Sequence, residues 1–405
     1  MSQSMSNAVC FPKGFQANGI HCGVRKNRIK KDLALIYSET PCNAAAVYTL
    51  NKVKGAPIDV TKKHLEDGMA QAMLCNSGNA NTCNANGIEI AQGMCKLCAD
   101  SLNIKPTDII VASTGVIGEV LSLEPFETHM DQLVDGLSSA NGSDACEAIM
   151  TTDTVKKEFI HTFEIDGVEC RLGIMAKGSG MIHPNMATML AFVTTDVNIS
   201  SPMLKQALSE VVQDTFNMVS VDGDTSTNDM LSIMANGAAQ NKEIDCAGPA
   251  YELFKQALYA VCEAASRAMA KDGEGATKLL TAIVSNAPDV KTAKIAAKSI
   301  ITSSLFKAAM YGRDANWGRI LCALGYCDAS FDIHKVDVSL ASTVGEIAVC
   351  KDGAGCGFDE DEALKILSED EIIIAIDLKQ GDAKATAWGC DLTYDYVKIN
   401  GDYRT

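Results

Sequence analysis

A segment near the middle of the chain combines residue types that suit a nucleophile made by self-cleavage. In residues 177–190, Gly178 and Gly180 precede the pair Ala187-Thr188, and a short apolar run follows. Glycine allows backbone turns that other residues disfavour, and the apolar run is short enough to be a buried strand. Attack of the Thr188 hydroxyl on the Ala187 carbonyl would turn the peptide bond into an ester, which water would then open.

Cleavage at this bond would leave Thr188 as a new N-terminus. The freed α-amino group would have a pKa of roughly 7.7–8.0 and would lie beside the hydroxyl of the same residue. A neutral amine in that position can act as the base that activates threonine as an acyl-accepting nucleophile. From the residues alone, the alternative is that Thr188 is simply the polar first residue of a strand.

A second loop of small residues follows a continuous apolar segment, residues 108–113, which predicts a strand buried on both faces. This loop contains Thr114 and Gly115. Backbone N–H groups of a turn at a strand end can form a nest that binds an anion or an oxyanion. An ordinary turn has the same composition, so the residues alone leave both interpretations open.

Three further polar stretches could face a site. Thr151 and Thr152 begin a run that equally suits a helix cap or a turn. Glu274 lies between two glycines at a predicted helix-to-strand connection, where a solvated turn is the alternative. Residues 221–229 have the composition of a calcium loop, but Ile233 occupies the position that requires a bidentate glutamate. We therefore expect a polar, site-facing turn there and no metal site.

The overall composition argues against several classes of function. The net charge of −16 disfavours nucleic-acid binding, which needs a basic surface. There is no run of about 18 apolar residues to predict a transmembrane helix, and residues 1–7 lack the pattern of a secretory signal. We therefore expect a cytoplasmic protein that binds neither nucleic acid nor membranes. The 16 cysteines are dispersed, and the CxxC pair Cys95 and Cys98 has no nearby histidine, so core thiols are expected.

The order of predicted elements indicates an α/β fold in which helices cover central mixed sheets. Among others, the pattern predicts strands at 32–37 and 44–51, a helix at 87–102, a hairpin at 159–174, one helix at 292–311 and a β-like run at 394–405. No repeat and no low-complexity linker divides the chain. The strongest boundary is therefore the bond after residue 187, which would separate an α chain, 1–187, from a β chain, 188–405.

Residues 177–190 read Lys-Gly-Ser-Gly-Met-Ile-His-Pro-Asn-Met-Ala-Thr-Met-Leu. This segment resembles the signature of the ornithine acetyltransferase family of arginine biosynthesis, also called bifunctional glutamate N-acetyltransferase. The resemblance recurs from the first thirty residues to the last six, so it covers nearly the whole chain. It implies that Thr188 is both the self-cleavage site and the nucleophile. It also implies a layered, N-terminal-nucleophile-like acyltransferase fold whose central sheets are shared by the two fragments.

The resemblance further implies roles for residues outside this segment. Thr114 and Gly115 would supply the oxyanion hole. The residues expected to contact substrate are Thr151, Thr152, Lys177, Thr188, Glu274, Asn400 and Thr405. No metal and no resident cofactor is implied.

The implied reaction moves an acetyl group from N-acetylornithine to glutamate, giving ornithine and N-acetylglutamate. Acetyl-CoA is a second candidate donor, although no P-loop or other CoA-specific motif is visible. The α and β fragments are expected to assemble as a heterotetramer of two α and two β chains. Two alternatives remain open. One is a self-cleaving aminopeptidase or amidohydrolase that uses the same threonine, and the other is a non-enzymatic module whose glycine loops bind an anion.

Overall fold

The structure, a computed structural model, describes residues 2–25, 30–183 and 189–402. Three residues assigned to the site from the sequence, Ala187, Thr188 and Thr405, lie outside the described residues.

The described part of the chain alternates strands with helices. The strands are β1 (Gln3–Ser4), β2 (Phe15–Ile20), β3 (Leu33–Tyr48), β4 (Met69–Asn79), β5 (Ile109–Val116), β6 (Lys157–Ile165), β7 (Val168–Lys177), β8 (Leu190–Thr195), β9 (Val219–Ser220), β10 (Met230–Ala235), β11 (Leu279–Ala287), β12 (Asp337–Ser342), β13 (Gly345–Lys351), β14 (Ala354–Gly355), β15 (Glu371–Asp377) and β16 (Ala383–Cys390). The α-helices are α1 (Ala56–His64), α2 (Gly87–Leu102), α3 (Glu124–Asp135), α4 (Gly142–Ile149), α5 (Ser201–Val211), α6 (Pro249–Lys271), α7 (Val290–Thr302), α8 (Ser304–Tyr311), α9 (Trp317–Tyr326), α10 (Glu360–Ile366) and α11 (Tyr394–Asp402).

These strands form two mixed sheets. The first has the order β1-β6-β7-β8-β10-β3-β4-β5, with β2 paired on β3. The second has the order β14-β13-β12-β15-β11-β16-β9. Helix α6 contacts β6 and β7 of the first sheet and β11 and β16 of the second, so it joins the two layers. Its buried side chains recur every three to four residues, as expected for a helix with an extended apolar face.

The first sheet crosses the predicted cleavage boundary. Strand β8 pairs with β7 in antiparallel register, with Leu190 opposite Lys177, and in parallel register with β10. Strand β10 then pairs with β3 in antiparallel register. All six residues of β8 are buried, which suits a strand covered on both faces. The predicted α/β architecture with mixed sheets is confirmed, and the first sheet contains strands from both sides of residue 188. The described strands of the second sheet all follow residue 188.

Several local predictions agree with the structure. Helix α2 has the predicted bounds, and Cys95 and Cys98 are fully buried within it as core thiols. The hairpin of β6 and β7 turns at Asp166 and Gly167, both of which have positive φ, as a two-residue turn of the mirror-image type requires. None of the described helices is long and apolar enough to cross a membrane.

Three local predictions are wrong. The strands expected at 32–37 and 44–51 are halves of one strand, β3, whose register shifts between Tyr37 and Cys42. The helix expected at 292–311 is interrupted because the Ser303 side chain accepts a hydrogen bond from Phe306 N and so begins α8. The C-terminal run is helical over 394–402 and not β-like, and Thr393 Oγ1 accepts from the backbone of its first turn.

We predict that residues 188–405 expressed alone do not form a cooperative domain. Strands β8 and β10 would lose their partners β7 and β3, and the cluster beneath α5 and α6 would lose the side chains that β3 and β7 supply. The fragment should bind a hydrophobic dye and lack a sharp thermal transition.

Co-expression with residues 1–187 as a separate chain is the control and should restore a single transition. A sharp, reversible transition of the isolated fragment would instead show two independent domains.

Candidate active site

One cavity of about 280 Å³ is lined by all seven of the sequence-predicted site residues that the structure describes. These residues are Thr114, Gly115, Thr151, Thr152, Lys177, Glu274 and Asn400. They come from the ends of β5 and β7, from two loops and from α11. Elements that are remote in the sequence are therefore brought to one site.

Lys177 is the last residue of β7, and its side chain is 8% exposed. Its Nζ donates to Thr114 Oγ1 at 3.4 Å. Burial lowers the pKa of Lys177 below its ordinary value, although the neighbouring carboxylate of Asp153 opposes that shift. The cavity therefore contains a cation that is only partly neutralised by its surroundings.

A network of buried ion pairs lies next to Lys177. Lys157 Nζ lies 2.8 Å from Asp153 Oδ1 and 2.6 Å from Asp272 Oδ2, and the Lys157 side chain is fully buried. Asp153 also accepts from Gly178 N at 2.6 Å and from Thr151 N at 2.9 Å. The Asp153 carboxylate thus links the start of the threonine loop (residues 151–154) to Gly178, the residue that follows Lys177.

The pKa values within this network move in opposite directions. Burial opposes the ionisation of Asp153, but Lys157, Lys177 and the Gly178 amide together hold its pKa well below its usual range. Burial likewise disfavours the charge of Lys157, but Asp153 and Asp272 raise its pKa above the ordinary value. The network therefore remains charged at neutral pH.

The Thr114-Gly115 pair sits where β4 and β5 approach each other closely. Gly115 has a φ of +131°, and an added Cβ would lie 2.3 Å from the carbonyl carbon of Gly78. Only glycine fits there. The pairing is irregular at this point, since Thr114 lies opposite both Ser77 and Asn79. The structure places both residues on the cavity wall, and their role as an oxyanion hole stays a prediction.

Thr152 and Glu274 are joined through the glycine-rich segment that follows β7. Thr152 Oγ1 lies 2.7 Å from Ser179 Oγ, and Glu274 N donates to the Ser179 carbonyl at 2.9 Å. A Cβ at Gly180 would lie 2.3–2.4 Å from the Glu274 carboxyl atoms. Asn400 Nδ2 donates to Glu274 Oε2 at 2.7 Å. The carboxylate is therefore packed against Gly180 and oriented by α11.

The loop 221–229 faces the site, as its polar composition predicts, and three of its residues line the cavity. Ser226, Thr227 and Asn228 do so. Asn228 Nδ2 donates to the Ala80 carbonyl at 2.6 Å and to the Ser113 carbonyl at 2.9 Å, so it ties the loop to the end of β5. The sequence predicts that this loop is polar. It does not predict the hydrogen bonds of Asn228, because Ala80 and Ser113 are more than a hundred residues away in the chain.

The segment 184–188 is bounded by two anchored ends. Before it, Met181 N and Ile182 N donate to the Asp222 carboxylate at 2.5 Å and 2.9 Å. After it, Met230 N donates to the Met189 carbonyl at 2.9 Å. An added Cβ on Gly178 would lie 3.5 Å from Met189 Cβ. The residue that follows Thr188 in the chain therefore lies beside the residue that follows Lys177.

Among residues 2–25, 30–183 and 189–402, no group of histidine, cysteine and acidic side chains is arranged to hold a metal ion. The cavity instead offers one lysine, one carboxylate, hydroxyl groups and a close-packed glycine turn. Fold and site together define an α/β enzyme whose small polar cavity suits small ligands that carry both charges.

Comparison with known proteins identifies the family. A sequence model of the ArgJ family matches residues 16–405. The chain is 50% identical over 392 residues to an arginine biosynthesis bifunctional protein ArgJ of Clostridium acetobutylicum, covering 96% of each chain. It is 50% identical over 396 residues to the corresponding protein of Caldanaerobacter subterraneus, covering 98% of each. The chain belongs to the ArgJ family.

A solved structure supports the same assignment. The crystal structure of an arginine biosynthesis bifunctional protein ArgJ from Bacillus halodurans is 45% identical to this chain, with a TM-score of 0.50. The match covers 52% of this chain and 98% of that chain. The family and the fold class that the sequence predicted are therefore confirmed.

We predict that Lys157→Met destabilises the protein by roughly 3–5 kcal/mol, because it leaves the buried carboxylates of Asp153 and Asp272 without their cation. Urea denaturation measures this loss. Lys156→Met is the matched control, since Lys156 is 39% exposed and its ion pair is 3.8 Å long. Its effect should be about 0.5 kcal/mol or less.

The same network predicts a pH window. Folding lowers the pKa of Asp153, so its stabilisation is lost as the pH falls below about 4. Folding raises the pKa of Lys157, so its stabilisation is lost as the pH rises above about 10. An equal loss in both lysine variants, at any pH, would contradict a specific role for the buried network.

Proposed function

We propose that this protein transfers an acetyl group from N-acetylornithine to glutamate through an acetyl ester on Thr188. The observation that carries the proposal is the cavity in which Thr114, Lys177 and Glu274 meet. Met189, which follows Thr188 directly, immediately precedes β8, the strand next to β7, and lies beside Gly178. The residue that follows position 188 in the chain therefore lies at the corner of the sheet where β7 ends.

The general activity follows from family membership. The relatives that match over almost the whole chain are named arginine biosynthesis bifunctional proteins. The protein is thus an acetyltransferase of arginine biosynthesis, as the sequence predicted.

The first half-reaction acylates the enzyme. The Thr188 hydroxyl attacks the acetyl carbonyl of N-acetylornithine, while the free α-amine of Thr188 takes up the hydroxyl proton. Thr114 and Gly115 stabilise the oxyanion that forms. The amine then returns the proton to the leaving nitrogen, so the amide C–N bond breaks and ornithine departs. In the second half-reaction the neutral α-amine of glutamate attacks the ester carbonyl, so that a C–N bond forms and the C–O bond to Thr188 breaks. The α-amine of Thr188 passes the proton lost by the attacking nitrogen to the threonine oxygen, and N-acetylglutamate departs.

The two charged groups of the cavity suit the two ends of these substrates. Lys177 faces the α-carboxylate that donor and acceptor share. Glu274 has its carboxylate held by Asn400 and faces an ammonium, which in ornithine is the δ-ammonium. Each charge-assisted hydrogen bond of this kind contributes roughly 1.5–3 kcal/mol. A site with one buried cation and one oriented anion therefore favours amino-acid substrates over water as the acceptor.

The proposal includes cleavage into an α chain, 1–187, and a β chain, 188–405. The glycine-rich approach and the Ala187-Thr188 pair support it. The ArgJ chain of Bacillus halodurans is matched over 98% of its length by 52% of this chain, so it is about half as long. Separate half-length chains are what cleavage near residue 188 would produce.

We predict that intact-mass measurement of the purified protein shows two fragments that meet at residue 188. Thr188→Ala removes the hydroxyl and should leave a single, inactive chain. Thr188→Ser keeps a hydroxyl and is the control that should still cleave. A single uncleaved chain with full activity would refute the mechanism.

We predict that Glu274→Gln slows acetyl transfer from N-acetylornithine by roughly 10- to 100-fold, because one charge-assisted contact to the ornithine ammonium is lost. Single-turnover formation of the acetyl-enzyme measures this step. Asp224→Asn is the control, since Asp224 is exposed and does not line the cavity. Equal rates for both variants would remove Glu274 from the substrate site.

We predict that Lys177→Met weakens both half-reactions, because donor and acceptor both carry the carboxylate. The two steps can be measured separately with cleaved enzyme. If the variant were impaired only in self-cleavage, Lys177 would act in maturation and not in substrate binding.

Assembly and location are also part of the proposal. Because β8 and β10 lie between strands of the α fragment, the two fragments are expected to stay together, as a heterotetramer of two α and two β chains in the cytoplasm. Light scattering of the purified protein tests the stoichiometry. Acetyl-CoA serves as a second donor, which an assay with acetyl-CoA and glutamate alone tests.

A further inference from the structure

Met181 combines an unusual backbone conformation with a place on the wall of the candidate active site. Its φ is +55°, in the left-handed region that a long apolar side chain rarely adopts. The other described non-glycine residues with positive φ are mostly Asn or Asp, and none of them lines the cavity. Such conformations cost free energy and cluster at functional sites. The combination indicates that the Met181 side chain has a role in the site.

The backbone conformation of Met181 is fixed by the loop that follows β9. Met181 N and Ile182 N donate to the two oxygens of the Asp222 carboxylate at 2.5 Å and 2.9 Å. The Ile182 carbonyl accepts from Val221 N at 2.7 Å, and Ile182 forms a β-bridge with Thr225. These contacts offset the cost of the left-handed conformation and hold the Met181 backbone in place.

Met181 lies beside the anionic group of the cavity. Its neighbour Gly180 packs so closely that an added Cβ would lie 2.3–2.4 Å from the Glu274 carboxyl atoms. The cation of the cavity, Lys177, instead contacts Thr114 at 3.4 Å. Met181 is 43% exposed although it lines the cavity, so its side chain lies where the cavity opens to solvent. A ligand bound to Glu274 would therefore pass the Met181 side chain.

A ligand that carries a charge at each end needs an apolar surface for the methylene groups between them. The described lining of the cavity includes four apolar side chains, those of Ala80, Val116, Ile117 and Met181. Val116 and Ile117 directly follow Gly115, on the acetyl side of the proposed reaction, whereas Met181 adjoins the Glu274 side. Packing of methylene groups on Met181 would remove apolar surface of both partners from water, which is favourable.

We propose that Met181 is a specificity-determining residue that packs on the methylene chain of the ornithine part of the donor and limits the length of that chain. The inference rests on the proposed function and concerns the same site. With the carboxylate at Lys177 and the ammonium at Glu274, a chain one methylene longer, as in lysine, meets the Met181 side chain. Asp222 is a positioning residue, because it acts through the backbone of Met181.

The test compares N-acetylornithine with N-acetyllysine as acetyl donors to glutamate. The wild type should favour N-acetylornithine by roughly 10- to 100-fold in kcat/KM, the discrimination that one methylene gives in an apolar pocket. Met181→Ala should reduce this preference by at least about 10-fold, through better transfer from N-acetyllysine. Met181→Leu conserves the volume and should keep the preference. An unchanged ratio in Met181→Ala, or no preference in the wild type, would overturn the proposal.

Arg313→Ala is the matched control for the backbone. Arg313 has the same φ of +55°, is exposed and does not line the cavity. An alanine at positive φ is strained at either position, so this variant should leave the ratio of the two donors unchanged. A loss of the ornithine preference in Arg313→Ala would attribute the effect to backbone strain and would contradict a contact between Met181 and the substrate.

Asp222→Ala tests the positioning role. It removes the carboxylate that accepts from Met181 N and Ile182 N, so the ornithine preference should fall as it does in Met181→Ala. The double variant should show no further loss, because the two residues act as a unit. Additive losses would show that Asp222 acts on the substrate by another route.

Calorimetric titration with ornithine and lysine separates this inference from the proposed function, because it needs no turnover. The wild type should bind ornithine at least about 10-fold more tightly than lysine, and Met181→Ala should bind the two about equally. If the wild type shows this difference but transfers no acetyl group from N-acetylornithine, the proposed function fails while the role of Met181 stands. Equal binding of both amino acids by the wild type would overturn that role.

Discussion

The candidate active site depends on one buried cation, Lys157, held between Asp153 and Asp272. Taking three charged groups out of water is unfavourable unless their geometry and hydrogen bonds compensate. Here each carboxylate also accepts backbone hydrogen bonds, from Gly178 and Thr151 at Asp153 and from Thr154 at Asp272. The network therefore fixes the relative positions of three segments: the threonine loop, the end of β7 and the end of α6. Lys177 and Glu274 take their places in the cavity from these segments.

The first sheet holds together the residues on both sides of the proposed cleavage site, near the end of β7. Strand β8 lies between β7 and β10, and every residue in it is buried. A break in the chain before Met189 would leave these ladder hydrogen bonds intact. Residues before and after position 188 therefore pack into one hydrophobic cluster, which neither part of the chain can complete alone.

Local sequence patterns were sufficient where the structure depends on local contacts. Helix α2 and the β6–β7 hairpin are examples, since an apolar stripe and an Asp-Gly turn determine them. The patterns failed for the C-terminal helix α11, whose place is set by packing of its first turn against Gly275. They also could not identify Asn228, which is defined by bonds to Ala80 and Ser113.

The site residues were a different case. Thr114 and Glu274, for example, had an ordinary turn as their alternative, and the family resemblance decided between the two interpretations. Their convergence on one cavity is a property of the sheet topology, because strand ends from distant parts of the chain meet there. The spacing of these residues along the sequence does not predict that they meet in one cavity.

The electrostatics of the cavity explain why a zwitterionic ligand suits it. Burial lowers the pKa of Lys177, and it raises the pKa of the neighbouring Asp229 well above its usual value. Among the described residues, Asp229 Oδ2 has no hydrogen-bond partner. Burial in this region thus disfavours uncompensated charge of either sign. A bound carboxylate would raise the pKa of Lys177 again, and in a desolvated cavity that attraction is stronger than in water. Binding and charging of the site are therefore coupled, so that ligands which bring their own balanced charges are favoured.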